Sequence, residues 1–156
     1  MAIAFETAPS AIHRGEADLP WVPDGFGGEM KLLVAKEREG LWIVRNRFAP
    51  GTLVQTHKHT GQVFGYTLAG AWHYLESEYV NRAGSFLFEP AGSIHTLNVP
   101  ADNTEITDVW FQIYGSNLNL APDGSVASVT DAASVLSRYR HQCAKVGVLD
   151  PPVLTD

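Results

Sequence analysis

Two histidines separated by one residue, His57 and His59, are the first residues of the sequence whose type and spacing could do chemistry. Side chains two positions apart on a β-strand project from the same face, so two imidazoles placed in this way can reach one metal ion. Neutral imidazole suits iron, zinc, copper and nickel. An isolated pair is also consistent with two surface histidines beside Lys58, and the pair alone does not exclude that interpretation.

The elements around this pair are short runs of β-branched and aromatic residues, separated by turns rich in glycine and proline. This pattern is typical of an all-β sandwich or an antiparallel β-barrel. The predicted strands cover residues 30–34, 41–48, 63–68, 71–75, 85–88 and 108–114. We therefore expect a barrel core over about 30–120.

Both ends of the chain differ from this core. The first thirty residues contain Pro20, Trp21 and Pro23 and predict an irregular N-terminal arm instead of a separate domain. Near the other end, Thr130 is a candidate N-cap for one C-terminal α-helix over about 131–145. The apolar residues of this helix form one stripe, Ala132, Val135, Leu136, Tyr139 and Cys143. The stripe predicts packing against the outside of the barrel, within a single domain over 1–156.

Two longer motifs resemble those of the cupin superfamily. They read Gly-x5-His-x-His from Gly51 and, after Gly70, Gly-x5-Pro-x-Gly-x2-His from Gly84. The resemblance covers the chain from Gly51 to about Asn98. It implies the cupin fold, which is a jelly-roll antiparallel β-barrel.

In this resemblance the turn at Pro90 and Gly92 delivers His95 to the inside of the barrel, beside the first histidine pair. The expected metal ligands are therefore His57, His59 and His95, and the same three residues are the expected catalytic residues. With both motifs present, a metal site is favoured over two surface histidines.

The sequence departs from the cupin pattern at its carboxylate ligand. A glutamate usually follows the His-x-His pair by a few residues, but Gln62 and Val63 occupy those positions. Three neutral imidazoles would leave the charge of a divalent ion uncompensated, so we expect the site to favour an anionic ligand. Glu76 is the acidic candidate for a fourth ligand, and its other interpretation is a solvated carboxylate at a strand end. Asn98 stands one position before the motif's asparagine and receives no role.

A narrower resemblance involves residues 18–23, 56–61, 66–76 and 89–97, together with Tyr139 and Arg140. These stretches are similar to the 2,4'-dihydroxyacetophenone dioxygenases. The family implies non-haem Fe(II) held by His57, His59 and His95, and cleavage of a carbon–carbon bond of an aryl hydroxyketone by O2 to give two carboxylic acids. Zn, Ni, Cu and Mn are the alternative metals. The same scaffold also resembles diketone-cleaving dioxygenases and quercetinase-like enzymes, so the substrate follows less directly than the metal site.

Other residues have weaker chemical interpretations. Five aromatic residues could line an aryl pocket or could form barrel core: Trp72, Tyr74, Phe86, Phe88 and Trp110. His73 lies on the opposite strand face from Trp72 and is interpreted as a packing or surface residue. Arg45 and Arg47 are expected on a solvated or subunit-facing sheet surface, and recognition of an anionic substrate by one of them is the alternative.

Charge and composition exclude two classes of partner. The net charge is -6 and no cluster of Lys and Arg occurs, which argues against a nucleic-acid binder. The apolar runs are far shorter than the roughly 20 residues of a membrane-spanning helix. The single Cys143 is expected to be a small buried hydrophobe and fits a reducing compartment, so we expect a cytoplasmic protein. The expected partners are a small aryl ketone, O2 and further copies of the chain in a homodimer or homotetramer.

Two functional classes compete with the dioxygenase. Cupin domains similar to this one also occur in regulators that bind zinc and sequester a partner, and there the cupin usually follows a helical domain. The N-terminal arm is too short and too rich in proline and glycine to build such a domain, which favours the enzyme. A metal-free sugar-binding or storage cupin is disfavoured because all three histidines are present.

Overall fold

The computed structural model describes residues 7–156, and most of its elements are β-strands. The strands are β1 (Val22–Pro23), β2 (Glu29–Lys36), β3 (Leu41–Phe48), β4 (His57–His59), β5 (Val63–Ala69), β6 (Ala71–Tyr74), β7 (Asn81–Arg82), β8 (Phe86–Glu89), β9 (Ile94–His95), β10 (Leu97–Asn98), β11 (Thr107–Tyr114), β12 (Asn117–Leu120), β13 (Val126–Thr130) and β14 (Leu154–Thr155). The helix α1 spans Ala132–Lys145.

Antiparallel pairing joins these strands into three sheets. The large sheet has the order β1-β2-β3-β11-β5-β8, with β14 parallel beside β2. A three-stranded sheet has the order β10-β6-β7, and a four-stranded sheet has the order β13-β12-β4-β9. Strands distant in sequence are neighbours in the large and four-stranded sheets, as the Greek-key connections of a jelly roll require. The predicted fold class, an antiparallel β-barrel followed by a C-terminal helix, is confirmed.

Alternation along the central strands separates the core from the outer face of the large sheet. Val44 of β3 lies opposite Phe111 of β11, and both side chains are buried. One residue further along, Arg45 lies opposite Trp110, and both are partly exposed. Side chains alternate between the two faces of a strand, so the same residues that build the core on one face leave charged and aromatic groups on the other.

Strand β8 has the opposite orientation from the one that an aryl pocket would need. Phe86 and Phe88 are 66% and 48% exposed, whereas Glu89 is 3% exposed and lies opposite the buried Val63 of β5. Neither phenylalanine therefore belongs to the core, and of the two only Phe86 borders a pocket, which lies on the outer face of the large sheet. Trp72 and Tyr74 are buried, as a core position requires, whereas Trp110 is on the outer face.

Helix α1 begins one residue later than predicted. Asp131, and not Thr130, is its N-cap: the Asp131 carboxylate accepts a hydrogen bond from Ser134 N, and Ser134 Oγ accepts one from Asp131 N. Thr130 is instead the last residue of β13. The predicted apolar stripe, which includes Cys143, is buried against the strands β1 and β2. No helix within residues 7–156 combines the length and apolarity needed to cross a membrane.

Ion pairs and a hydrogen bond hold the N-terminal arm against the outer face of the large sheet. Glu16 forms ion pairs with Lys31 and Arg45, and Trp21 Nε1 donates a hydrogen bond to Glu16 Oε1. Arg45 also binds Asp108 through two hydrogen bonds of 2.9 and 2.8 Å. Arg45 therefore has a structural role on the outer face of the sheet.

Candidate metal centre

Adjacent strands of the four-stranded sheet bring the three histidines together. His57 of β4 and His95 of β9 are direct partners across the antiparallel pair, so their side chains share one face. His59, two residues along β4, projects from that same face. The ring centroids lie 4.8 to 5.1 Å apart, and one ligand nitrogen from each ring lies within 4.8 Å of the others. All three side chains are buried.

The turn that precedes β9 holds His59 in place. Gly92 N donates a hydrogen bond of 2.7 Å to His59 O, and His59 N donates one of 3.0 Å to Ser93 O. Gly92 has φ of 89°, a left-handed conformation that favours glycine. The Pro-x-Gly turn therefore orients two ligands at once, because it fixes the backbone of His59 and leads directly into His95.

Hydrogen bonding prepares the rings to act as ligands. His57 Nδ1 lies 2.9 Å from Gln55 O. A carbonyl oxygen can only accept, so Nδ1 carries the proton and the neutral ring keeps a free electron pair on Nε2. The ring of His95 stacks on Tyr74 with centroids 3.8 Å apart and planes 10° apart. Its Nε2 is buried and has no hydrogen-bond partner among the described residues.

Burial keeps two of these imidazoles uncharged at neutral pH. Desolvation lowers the pKa of His57, partly opposed by its hydrogen bond to the Gln55 carbonyl. Desolvation also lowers the pKa of His95 to about 4, although the nearby Glu89 carboxylate acts in the opposite direction. Metal binding requires a neutral imidazole, so no proton has to be displaced from these rings at neutral pH.

Glu89, a buried carboxylate that sequence reasoning did not identify, lies against two of the three histidines. Glu89 Oε2 lies 3.0 Å from His59 Nε2 and 3.6 Å from His95 Nε2, yet it has no hydrogen-bond partner with acceptable geometry. The other carboxylate oxygen, Oε1, accepts a hydrogen bond from the Tyr74 hydroxyl. A carboxylate oxygen this close to two imidazole nitrogens is placed to share an ion that those nitrogens bind.

Glu89 corrects the expectation that the charge of a divalent ion would be uncompensated. Burial alone would raise the pKa of Glu89, but its contacts with His59, His95 and Tyr74 outweigh this effect and lower it. The carboxylate is therefore ionised at neutral pH and would neutralise one of the two charges of a divalent ion. The available signal in the sequence was its position immediately before Pro90, at the end of a strand.

Glu76, the expected candidate for a fourth ligand, has both carboxylate oxygens bound to Thr96, whereas Glu89 contacts the histidines. Glu76 Oε2 accepts a hydrogen bond of 2.9 Å from Thr96 N, and its Oε1 accepts one of 2.8 Å from Thr96 Oγ1. Although partial desolvation acts to raise its pKa, these two hydrogen bonds lower it overall. Glu76 thus fixes the residue that follows His95 and supports the site indirectly.

The remaining polar residues considered from the sequence lie outside the cluster. His73 shares hydrogen bonds with the Tyr74 carbonyl and the Asn98 side chain, which is the packing role expected of it. Arg47 lies over the ring of Trp21 on the outer face of the large sheet, at 3.9 Å from the ring centroid. Neither Arg45 nor Arg47 lines the cavity that contains the histidines.

A cavity of about 130 Å³ lies beside the cluster and is bordered by His57, His59, Tyr74 and Glu89. Most of its wall is apolar and comes from core residues of β2, β3 and β11. Asn117 and Asn119 of β12 lie opposite His59 and His57 and add polar groups to the wall. These two asparagines belong to a strand that sequence patterning did not identify.

The donor set fits a divalent transition metal. Three buried imidazole nitrogens and one ionised carboxylate oxygen are the ligands that zinc and non-haem iron take in proteins. The cluster of His57, His59 and His95 could hold such an ion, with Glu89 as the further ligand that the geometry supports. Iron, zinc, nickel, copper and manganese all accept this combination of nitrogen and oxygen donors.

The fold and the histidine cluster are those of a cupin. A family model described as the ChrR cupin-like domain matches residues 10–112, so the chain belongs to this cupin family. A comparison with curated proteins finds no match.

Solved structures resemble the chain over most of its length. A cupin-like protein of unknown function from Ralstonia eutropha JMP134 is 33% identical, with 83% of this chain and 80% of that protein covered and a TM-score of 0.78. An RmlC-like cupin from the same organism is 25% identical, with 99% of each chain covered and a TM-score of 0.87. An acetylacetone dioxygenase from Acinetobacter johnsonii shares the fold at 17% identity, with coverage of 91% and 98% and a TM-score of 0.74.

Proposed function

We propose that this cupin is a non-haem Fe(II)-dependent dioxygenase that cleaves a carbon–carbon bond of an aryl hydroxyketone with O2. The observation that carries the proposal is the cluster of three buried imidazoles, with the Glu89 carboxylate against two of them, beside a mainly apolar cavity. The narrower resemblance to 2,4'-dihydroxyacetophenone dioxygenases supports the substrate class. The fold shared with an acetylacetone dioxygenase is consistent with ketone cleavage.

The chain's own residues would bind the metal, orient the ketone and keep water away. Fe(II) held by His57, His59, His95 and Glu89 would supply the Lewis acidity and one-electron chemistry that a reaction with O2 requires. Tyr74 keeps its proton, because burial and the neighbouring Glu89 carboxylate raise the pKa of its hydroxyl. Its hydroxyl therefore donates to Glu89 Oε1 and fixes the carboxylate rotamer. The apolar wall holds an aryl ring and limits competing hydrolysis.

The atoms and electrons of the proposed reaction balance. An aryl hydroxymethyl ketone and one O2 give an aryl carboxylic acid and formic acid. The bond between the carbonyl and hydroxymethyl carbons breaks, both carbons are oxidised, and both atoms of O2 are reduced and enter the products. A reaction with 18O-labelled O2 tests this directly, because each acid should carry one labelled atom.

The labelled-oxygen experiment also distinguishes oxygenation from hydrolysis. We expect the Fe(II)-loaded protein to consume one O2 per hydroxyketone cleaved, and the zinc-loaded protein to be inactive. Acids without label, or full activity with zinc in place of iron, would reject the dioxygenase. A panel of aryl hydroxyketones and β-diketones, assayed for O2 consumption, then identifies the preferred substrate class.

A zinc-binding regulatory protein is the second candidate. Its support is the family itself, which is named for the cupin-like domain of ChrR. In such a protein the ion would fix a conformation that binds a partner and would not turn over a ketone. The metal content of protein purified without added metals separates the two: iron together with O2 consumption favours the enzyme, whereas zinc without turnover favours the regulator.

We further propose that the protein acts as a homodimer or homotetramer in the cytoplasm, where Cys143 would remain reduced. The outer face of the large sheet supports association between copies, because four neighbouring aromatic residues are exposed or half-buried there: Phe64, Tyr66, Phe86 and Phe88. Light scattering of wild type and of Phe86→Ser tests this association. A monomeric wild-type protein at micromolar concentration would reject it.

A further inference from the structure

The cavity beside the histidines contains a buried acceptor that the fold leaves unsatisfied. Asp24 is 3% exposed and lies on the loop between β1 and β2. Its Oδ1 accepts hydrogen bonds from Phe26 N at 2.7 Å and Gly28 N at 3.1 Å. Its Oδ2 is buried and has no hydrogen-bond partner within the described residues. Leaving a buried carboxylate oxygen without a partner is costly, which calls for an explanation.

The position of Asp24 connects this acceptor to the candidate metal centre. Asp24 borders the same cavity as His57, His59 and Glu89. The strands place the groups on different walls, because Asp24 adjoins β2 near one edge of the large sheet and Glu89 lies on β8 at the other edge. Asp24 and the candidate ligands therefore face one cavity from different strands.

Two further polar side chains face the cavity. Asn46 follows Val44 on the inward face of β3, and within residues 7–156 its amide group makes no hydrogen bond. Arg138 of α1 also borders the cavity, and it forms no ion pair with any acidic residue of the described chain. Away from the histidines the cavity therefore offers an unsatisfied acceptor at Asp24 and donors at Asn46 and Arg138. A second unsatisfied acceptor, Asn117 Oδ1, lies on the strand opposite His59.

We propose that Asp24 is a specificity-determining residue whose Oδ2 accepts a hydrogen bond from a hydroxyl group on the aryl ring of the substrate. A phenolic hydroxyl donates one hydrogen bond and accepts others, so it can satisfy Asp24 and also accept from Asn46 or Arg138. A ring carboxylate would be repelled by Asp24, and an unsubstituted ring would leave Oδ2 unpaired. The cavity is of the size that holds a single aromatic ring. This inference rests on the proposed function, because it assigns the ring end of the same substrate.

The main alternative is that Asp24 only fixes its own loop. Asp24→Asn separates the two roles, because an amide oxygen can still accept from Phe26 N and Gly28 N while an NH2 group replaces Oδ2. Asp123→Asn is the matched control. Asp123 also accepts a backbone N–H within a turn, from Ser125 at 2.9 Å, but it is exposed and lies outside the cavity.

Binding of small non-reactive ketones tests the inference without turnover. Calorimetry on zinc-loaded protein gives dissociation constants for 4-hydroxyacetophenone, acetophenone and 4-methoxyacetophenone. We expect wild type and Asp123→Asn to bind the hydroxyl compound at least about tenfold more tightly than the other two, because a hydrogen bond to a charged group is worth that much. Asp24→Asn should lose this preference and shift towards the methoxy compound, which can only accept.

Several outcomes would overturn the assignment. It is wrong if wild type binds the three ketones equally, if the hydroxyl compound does not bind, or if Asp24→Asn keeps the wild-type ratio. The comparison of the three ketones on wild-type protein needs no variant. It therefore tests recognition of the ring hydroxyl even if Asp24→Asn does not fold. A thermal melt of each variant establishes folding.

A turnover experiment separates this inference from the proposed function. Fe(II)-loaded protein is supplied with 2-hydroxyacetophenone and with 2,4'-dihydroxyacetophenone, and O2 consumption is measured. Equal kcat/KM for both would reject the role of Asp24 while keeping the dioxygenase. Cleavage of neither, together with the expected binding preference and its loss in Asp24→Asn, would reject the dioxygenase while keeping the hydroxyl-recognising role of Asp24.

Discussion

Glu89 links the electrostatics of the candidate metal centre to its geometry. Its Oε2 approaches two imidazoles, and the Tyr74 hydroxyl holds its Oε1, so the carboxylate has little freedom to turn away from the histidines. Glu76 has its two oxygens bound to Thr96 instead. Glu89 therefore faces the histidines of the candidate metal centre, whereas Glu76 holds Thr96, the residue between β9 and β10.

Glu89→Gln should weaken metal binding more than Glu76→Gln does. Loss of the Glu89 charge should reduce zinc affinity by at least about tenfold, because removing even a group that only orients a ligand costs about 10–100-fold. Glu76→Gln should reduce it by less than about tenfold, because the amide oxygen can still accept from Thr96. Competition with a chromophoric chelator measures both affinities, and a larger loss in Glu76→Gln would contradict the assignment of Glu89.

Alanine at His57, His59 or His95 should remove bound metal without unfolding the barrel. Each histidine provides one of the converging nitrogens, and each side chain can be shortened without breaking a strand pairing. His73→Ala is the control, because His73 lies on the opposite face of β6 and should keep stoichiometric metal. Elemental analysis beside a circular-dichroism melt checks this. Stoichiometric metal in all three variants would show that the ion binds elsewhere.

At the level of elements, the tight turns are constrained by space as well as by conformation. Gly70 and Gly84 both have positive φ, 75° and 88°. A Cβ at Gly70 would lie 2.6 Å from Thr107 Cα and closer still to its hydroxyl, whereas a Cβ at Gly84 would meet nothing within 4 Å. Of these two glycines, Gly70 alone has no room for a side chain.

Gly70→Ala should therefore destabilise the protein more than Gly84→Ala. The left-handed conformation costs an alanine about 1–2 kcal/mol at either site. Steric overlap with Thr107 should add about 1–3 kcal/mol at Gly70 only. Urea denaturation gives the free energy of unfolding of both variants, and equal losses would show that the backbone around Thr107 yields easily.

The contact between the N-terminal arm and the large sheet should weaken at low pH. The hydrogen bond from Trp21, supported by Lys31 and Arg45, lowers the pKa of Glu16 from 4.5 to about 2. The stabilisation is therefore fully present above pH 4.5 and is lost as the pH falls towards 2. Because Glu16 is largely exposed, we expect a contribution below about 1 kcal/mol. The stability difference between wild type and Glu16→Gln should shrink below pH 4.5, and a constant difference from pH 7 to pH 3 would contradict this.

The sequence predicts best the elements whose inward residues are apolar. β3 and β11 alternate buried apolar residues with outward polar or aromatic ones, and their bounds were predicted to within one residue. β8 and β12 break that rule, because the inward positions of β8 end in Glu89 and those of β12 are Asn117 and Asn119. Hydrophobic patterning predicts the position of β8 to within one residue but not which of its faces is buried, and it misses β12. The physical reason is that both strands border the candidate site, where polar side chains face inward.

The site residues also fall into those that the sequence predicts and those that it does not. The histidines were found because their spacing and the Pro-x-Gly turn encode local geometry that the structure reproduces around His59 and His95. Glu89 and Asp24 were missed because each acquires its chemical meaning from long-range contacts. Nothing adjacent to Glu89 in sequence indicates that it approaches His59, and Asp24 precedes a glycine-rich loop typical of an ordinary turn.

At the scale of the whole molecule, the candidate ligands come from both principal sheets. His57, His59 and His95 belong to the four-stranded sheet, whereas Glu89 belongs to the edge strand of the large sheet. An ion bound to all four side chains would be a cross-link between the two sheets. The melting temperature of the protein should therefore rise with metal occupancy, by an amount equivalent to about 2.7 kcal/mol when free metal is a hundredfold above its dissociation constant.

The same cross-link should also affect how the protein unfolds. The loop from His59 to Glu89 contains all of β5, β6 and β7, and the ion would close it into a ring that the unfolded chain cannot open without releasing the metal. Metal loss and sheet separation would then be one event, so a chelator should accelerate unfolding as well as abolish activity. In Glu89→Gln the histidines would still close a ring from His59 to His95, but the ion would no longer join the two sheets. The unfolding rate of that variant should therefore respond less to the chelator than that of wild type.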